Sequence, residues 1–80
     1  MIILQISPTG TLWFLKDSSW HRTNGPAIIS ANGYRAWYVN DQRHRLGGPA
    51  RIHENGTLEY WINDNQLSEY ELMFLTKLHD

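Results

Sequence analysis

The chain has 80 residues, with seven Lys or Arg against eight Asp or Glu and no cysteine; it has room for one small domain, without a disulfide frame or a cysteine-based zinc site. Hydrophobic content of 41% excludes a disordered chain, and no apolar run has the length of a membrane span. Residues 1–6 are apolar but too short, and lack the basic start, to form a signal peptide, so a cytoplasmic protein is expected.

In chain order, the first candidate element is a strand at residues 2–6, followed by Thr9-Gly10 and the apolar run Leu12-Trp13-Phe14-Leu15. Setting Gly10, Gly33 and Gly56 under one another reveals a unit of 23 residues written about three times. Asn32-Gly33 and Asn55-Gly56 precede Arg35-Ala36-Trp37-Tyr38-Val39 and Leu58-Glu59-Tyr60-Trp61-Ile62. Asn-Gly between aromatic, β-branched runs predicts a hairpin, since both residues tolerate positive φ. Large apolar residues recur four and five places after each glycine: Phe14, Trp37, Tyr60 and then Leu15, Tyr38, Trp61. Before the turns, Pro26-Ala27-Ile28-Ile29-Ser30 aligns with Pro49-Ala50-Arg51-Ile52-His53, and Ile3-Leu4-Gln5-Ile6-Ser7 is a degenerate earlier copy. Alternation predicts that Leu4, Ala27, Ala50, Ile6, Ile29 and Ile52 share one core face, with Gln5, Ile28 and Arg51 opposite.

Polar connectors separate the hairpins, at residues 17–25 and 41–48, and both run into His-Arg-x-x-Gly-Pro-Ala, at His21 to Ala27 and His44 to Ala50. Pro26 and Pro49 cannot donate a ladder hydrogen bond and mark where strand pairing begins. The third copy departs from this pattern. Ser68 with Glu71 three residues on is a capping box, acidic residues open the segment, and Lys77 and His79 close it, so a short capping helix is expected over 69–78. The expected fold is mainly β: an antiparallel hairpin-repeat meander in one domain over 1–80, with a degenerate strand in 1–7, hairpin repeats in 8–64 and a C-terminal helix in 68–78. Units that cannot bury their own face stack on neighbours, which predicts an elongated or twisted sheet.

The 23-residue hairpin with an aromatic strand after its glycine resembles the membrane occupation and recognition nexus (MORN) repeat. The variant His-Arg-x-x-Gly-Pro-Ala, then Asn-Gly, then Trp-Tyr-x-Asn-Asp is similar to a MORN-like repeat of small bacteriophage proteins, whose copies end in a Leu-Ser/Thr-x-x-Glu helix like that from Leu67. The match spans roughly residues 8–75 and lacks the second Gly-x-Gly of the usual MORN unit. The resemblance implies a β-meander used for binding, encoded by a phage, and no reaction.

His21 and His44 sit at equivalent places and tempt an enzymatic reading. General acid–base work needs a carboxylate partner and a pocket, and the nearest acids, Asp17 and Asp41, stand where turns favour Asp. A metal held by His21, His44 and His53 would need a further ligand outside the repeat pattern, so no metal and no cofactor are expected. Residues 18–53 carry five arginines against Asp41, a net +4, while residues 54–80 carry six acids against Lys77, a net −5. The candidate binding surface is therefore Arg22, Arg35, Arg43, Arg45 and Arg51 interleaved with Trp20, Tyr34 and Tyr38 and joined by His21 and His44.

The expected function is a non-enzymatic protein-binding module, a phage accessory protein that inhibits or modulates a host defence or regulatory protein through an acidic surface on that partner. Nucleic acid on the same strip is the first alternative, disfavoured by the acidic last third, and membrane lipid by MORN analogy comes after it. The edge carrying Ile2, Leu4 and Ile6 has neither Lys nor Pro within it; it or the C-terminal helix is a candidate homodimer contact.

Overall fold

Each aromatic run is bounded by two kinds of turn, and the computed structural model, which describes residues 1–78, shows what each does. At the first kind, the amides of Gly10, Gly33 and Gly56 donate to the carbonyls of Ser7, Ser30 and His53 at 3.0, 3.1 and 2.9 Å. Only the glycines have positive φ there (90°, 99° and 90°), which makes three-residue hairpin loops ending in a glycine bulge. Asn32 and Asn55 keep ordinary backbone and instead accept the Tyr34 and Thr57 amides on Oδ1, both at 3.0 Å. The expectation of positive φ at both residues of Asn-Gly is thus corrected: asparagine acts through its side chain, as in an Asx-turn.

Paired positive φ occurs at the other end of each aromatic strand, at Asp17-Ser18, Asn40-Asp41 and Asn63-Asp64, with φ between 46° and 67°. These are two-residue turns of the I′ kind, whose twist matches that of a hairpin. They turn the chain directly into a further strand, so the connectors are not wholly loop.

The strands are β1 (Ile2–Ile6), β2 (Leu12–Lys16), β3 (Ser19–Trp20), β4 (Ile28–Ile29), β5 (Arg35–Ala36), β6 (Tyr38–Val39), β7 (Gln42–Arg43), β8 (Arg51–Ile52), β9 (Leu58–Ile62) and β10 (Asn65–Leu67), followed by helix α1 (Glu69–Leu78). The main sheet runs β1-β2-β4-β5-β8-β9-β10, with β3 also on β2, and β6 pairs β7 separately. All pairings are antiparallel. The fold is therefore mainly β with one short C-terminal helix, as the sequence leads one to expect.

The 23-residue period is visible in the hydrogen bonds that join one copy to the next. Phe14 N–H donates to the Ala27 carbonyl at 2.8 Å and Trp37 N–H to that of Ala50 at 2.7 Å; Ala27 N–H reaches Ala36 and Ala50 N–H reaches Glu59, both at 2.8 Å. Because Ile28 is also paired with Ala36, residues 27 and 28 together face one partner residue, which is a β-bulge. The bulge breaks the expected alternation: Ala27, Ala36 and Ala50 are wholly buried, and Ile28 is buried beside them. Leu4 and Ile6 are exposed, a second correction, because no strand among the described residues covers β1 on its outer side.

The molecule measures 40 × 30 × 18 Å, and no large side chain among the described residues is fully buried. At α1 the capping box forms, with Ser68 Oγ accepting the Glu71 amide at 3.1 Å and Glu71 Oε1 accepting the Ser68 amide at 2.9 Å. Leu72 is buried beside a groove that it shares with Leu46, Pro49 and Tyr60. Lys77 lies in the last turn of the helix, and His79 lies outside the described residues. No helix among the described residues is long and apolar enough to cross a membrane.

Candidate binding groove between the two connectors

The His-Arg-x-x-Gly-Pro-Ala motif is decoded by its contacts. His21 Nδ1 accepts the Asn40 amide at 2.9 Å, and His44 Nδ1 accepts the Asn63 amide at 3.1 Å. Each histidine thus anchors the I′ turn of the following copy, and a ring accepting on Nδ1 carries its proton on Nε2 when neutral. Arg22 lies over the Phe14 ring with its carbon centre 3.9 Å from the centroid, and Arg45 lies over Trp37 at 4.0 Å. Their NH1 groups donate to the Pro26 and Pro49 carbonyls at 3.2 and 3.1 Å. A Cβ on Gly25 or Gly48 would come within 3.0 Å of the folded-back guanidinium, so the glycine leaves the arginine its place. The proline stands two residues before the strand, which begins at Ile28 or Arg51, and the alanine between them is wholly buried.

The remaining members of the expected strip form two further groups. Trp20 packs against Tyr38 in a tilted pair with ring centroids 5.0 Å apart, and at the equivalent place one copy later Arg43 lies 3.6 Å over Trp61. Arg43 also makes a 2.6 Å ion pair with Asp64, whose carboxyl is held below the usual range by that hydrogen bond. Burial raises the Tyr38 hydroxyl above the usual phenol range.

In the second group Arg51 donates to the Tyr34 hydroxyl at 3.1 Å and pairs with Glu59 at 3.3 Å. Glu59 Oε2 is hydrogen-bonded to His53 Nε2, and Glu59 Oε1 accepts Trp61 Nε1–H at 2.8 Å. Burial pushes the Glu59 carboxyl up, but the bonds from His53 and Trp61 and the Arg51 charge outweigh it and leave the carboxyl below its ordinary range. Burial likewise opposes the Arg51 charge, and the Tyr34 and Glu59 contacts overcome it. Arg35 is paired through its backbone with Ile29 and Ile52, and its exposed side chain has no hydrogen bond or ion pair to a described residue.

The ten residues expected on one strip are therefore divided. Arg22, His44 and Arg45 line a single open groove of about 620 Å³ between the two connectors, together with Asn24, Trp37 and Leu46. Arg43, Arg51, Tyr34, Tyr38 and Trp20 are joined across copies, His21 is buried under the next turn, and Arg35 stands apart. Among the described residues neither Arg22 nor Arg45 has a carboxylate at ion-pair distance, in contrast with Arg43 and Arg51. No group of three or more His, Asp or Glu among the described residues is placed to share a metal ion. Sequence reading passed over Trp37 as a groove residue; the signal was the glycine ahead of each Pro-Ala, which marks an arginine folded back onto the ring eight residues before it. No family model, curated protein or solved structure matches the chain.

Proposed function

We propose that the protein is a non-enzymatic protein-binding module that takes an acidic segment of a partner into the groove between its connectors. The observation that carries this reading is the state of Arg22 and Arg45: both guanidinium groups are stacked and hydrogen-bonded in place, both line one groove, and among the described residues neither has a carboxylate at ion-pair distance. Groups held in their binding geometry before the partner arrives lose little entropy on association. Each guanidinium lines the groove and has more N–H donors than the contacts named above use, and such a planar fork is what a carboxylate accepts. Leu46 and Trp37 supply apolar area beside the charges, as at the centre of protein interfaces.

On this reading the module acts by occlusion, covering an acidic surface of its partner. The resemblance to small phage proteins supplies a setting, with a host defence or regulatory protein as partner and the host cytoplasm as the place. The test is capture of partners from bacterial lysate, followed by titration of the captured protein against wild type and an Arg22→Gln/Arg45→Gln double variant. The expected result is binding weakened by about tenfold or more, mainly in association rate, with a flatter salt dependence. Unchanged affinity in a folded double variant would overturn the reading. Binding of DNA or RNA with a steep salt slope would replace it with nucleic-acid recognition.

A further inference from the structure

Every pre-turn strand of the main sheet except the first is paired on both sides. Strand β4 lies between β2 and β5, and β8 lies between β5 and β9, whereas among the described residues β1 is paired with β2 alone. Its residues are exposed, with Ile2 at 44%, Ile3 at 54%, Leu4 at 48% and Ile6 at 66%. The Ser7 amide donates to Thr11 of the hairpin partner, so alternation turns the backbone groups of Gln5 and Ile3 toward β2 and those of Ile2, Leu4 and Ile6 outward. The outward Leu4 carbonyl is the counterpart, 23 residues back, of the Ala27 carbonyl that accepts Phe14 N–H and, 46 residues back, of the Ala50 carbonyl that accepts Trp37 N–H. The edge is thus a used interface in each inner copy and open in the first.

A second chain could meet this edge head to tail, by placing its third aromatic strand there, or as the same edge turned by a two-fold. The far end of the sheet decides between them. There Tyr60, the counterpart of Phe14 and Trp37, is paired with Leu67 of β10, the sheet's last strand. The position that would extend the array is closed, and helix α1 follows it directly. Head-to-tail growth is blocked, while the two-fold arrangement buries the open edge of both chains at once.

We infer that the protein forms a two-fold dimer in which β1 pairs antiparallel with β1 of a second copy, centred on Leu4. In this register Leu4 faces Leu4, Ile2 faces Ile6, and Ile3 faces Gln5, so every outward amide and carbonyl of β1 is satisfied. Residues 1–7 carry no side-chain charge, and no like charges are brought together across the pair. The result is a sheet continuous through both molecules, with a groove on each half.

Size-exclusion chromatography with light scattering measures the mass at high micromolar concentration. Twice the 9.4 kDa chain mass is expected for wild type and a single chain mass for Leu4→Lys, which sets two ammonium groups against each other at an exposed position. Mixing Leu4→Lys with Leu4→Glu should restore the dimer, because residue 4 meets itself only in the Leu4-centred pairing. That rescue also shows that the single variants are folded. Phe74→Lys, on the helix, should leave the dimer intact. A monomeric wild type, a dimeric Leu4→Lys, a Phe74→Lys monomer or failure of the mixed pair to associate would each overturn the inference. None of these outcomes bears on the groove, whose ligand is read out separately by Arg22 and Arg45.

Discussion

Gly25 and Gly48 are conserved in role between copies for a reason that lies in another side chain. Each keeps open the place where Arg22 or Arg45 folds back, and an added methyl would stand 3.0 Å from the guanidinium. Gly48→Ala should shift the Arg45 guanidinium by a few tenths of an ångström on Trp37 and lower stability by no more than about 1 kcal/mol, as read from a urea transition. Gly33 is different: nothing lies within 4 Å of an added Cβ, but its φ of +99° is unfavourable for any L side chain. Gly33→Ala should therefore cost about 1–2 kcal/mol through backbone strain alone. His21 is the buried polar residue of this part of the chain, and His21→Leu would leave the Asn40 amide without its acceptor. A loss of about 1–3 kcal/mol is expected in the same measurement.

At the level of elements, the I′ turns hold two non-glycine residues each in the left-handed region. Ser18 has φ 66° at the position where Asp-Gly is the favoured pair. Ser18→Gly should raise stability by about 0.5 kcal/mol, the relief of strain exceeding the added entropy of the unfolded glycine. The helix offers a converse test: Ser68→Ala removes the side-chain oxygen that accepts the Glu71 amide and should cost about 1 kcal/mol, seen as lost helical signal in circular dichroism. Both the capping box and the aromatic strands were legible in the sequence, because each is specified by residues adjacent in the chain. The bulge at Ala27-Ile28 was not, since it arises from which carbonyl two successive amides find across the sheet. For the same reason the division of the arginines was hidden. The sequence places Arg43 and Arg45 on either side of His44, yet one is neutralised by Asp64, 21 residues on, and the other is left facing the groove.

As a whole molecule the protein is a thin sheet, exposing 5431 Å² where a monomer of its mass is expected to expose roughly 5,000 Å². With wholly buried alanines in place of large core side chains, much of its cohesion lies in polar and aromatic contacts between copies. Those contacts make its acid response uneven. Asp64, Glu59 and Glu71, all in the last third, have carboxyls held below the ordinary range of about 4. A depressed folded pKa contributes stability that is complete above the unfolded value and is lost as pH falls through the folded one. Thermal melting should therefore be steady near neutrality and fall progressively below about pH 4.5, with the helix and third copy loosening before the first hairpin. Residue-resolved amide exchange at two pH values checks that order.

The bonds from Phe14 to Ala27 and from Trp37 to Ala50 are the same joint made twice, and a joint that repeats can be inserted. One more 23-residue unit placed between them would add two strands to the main sheet, widening it by about 10 Å without disturbing either end. The two termini of the fold, one an open edge and the other a closed helix, would keep their chemistry while the distance and twist between them changed by a fixed step. In this sense the chain is a ruler, and its graduations are set by the period of its hydrogen bonds.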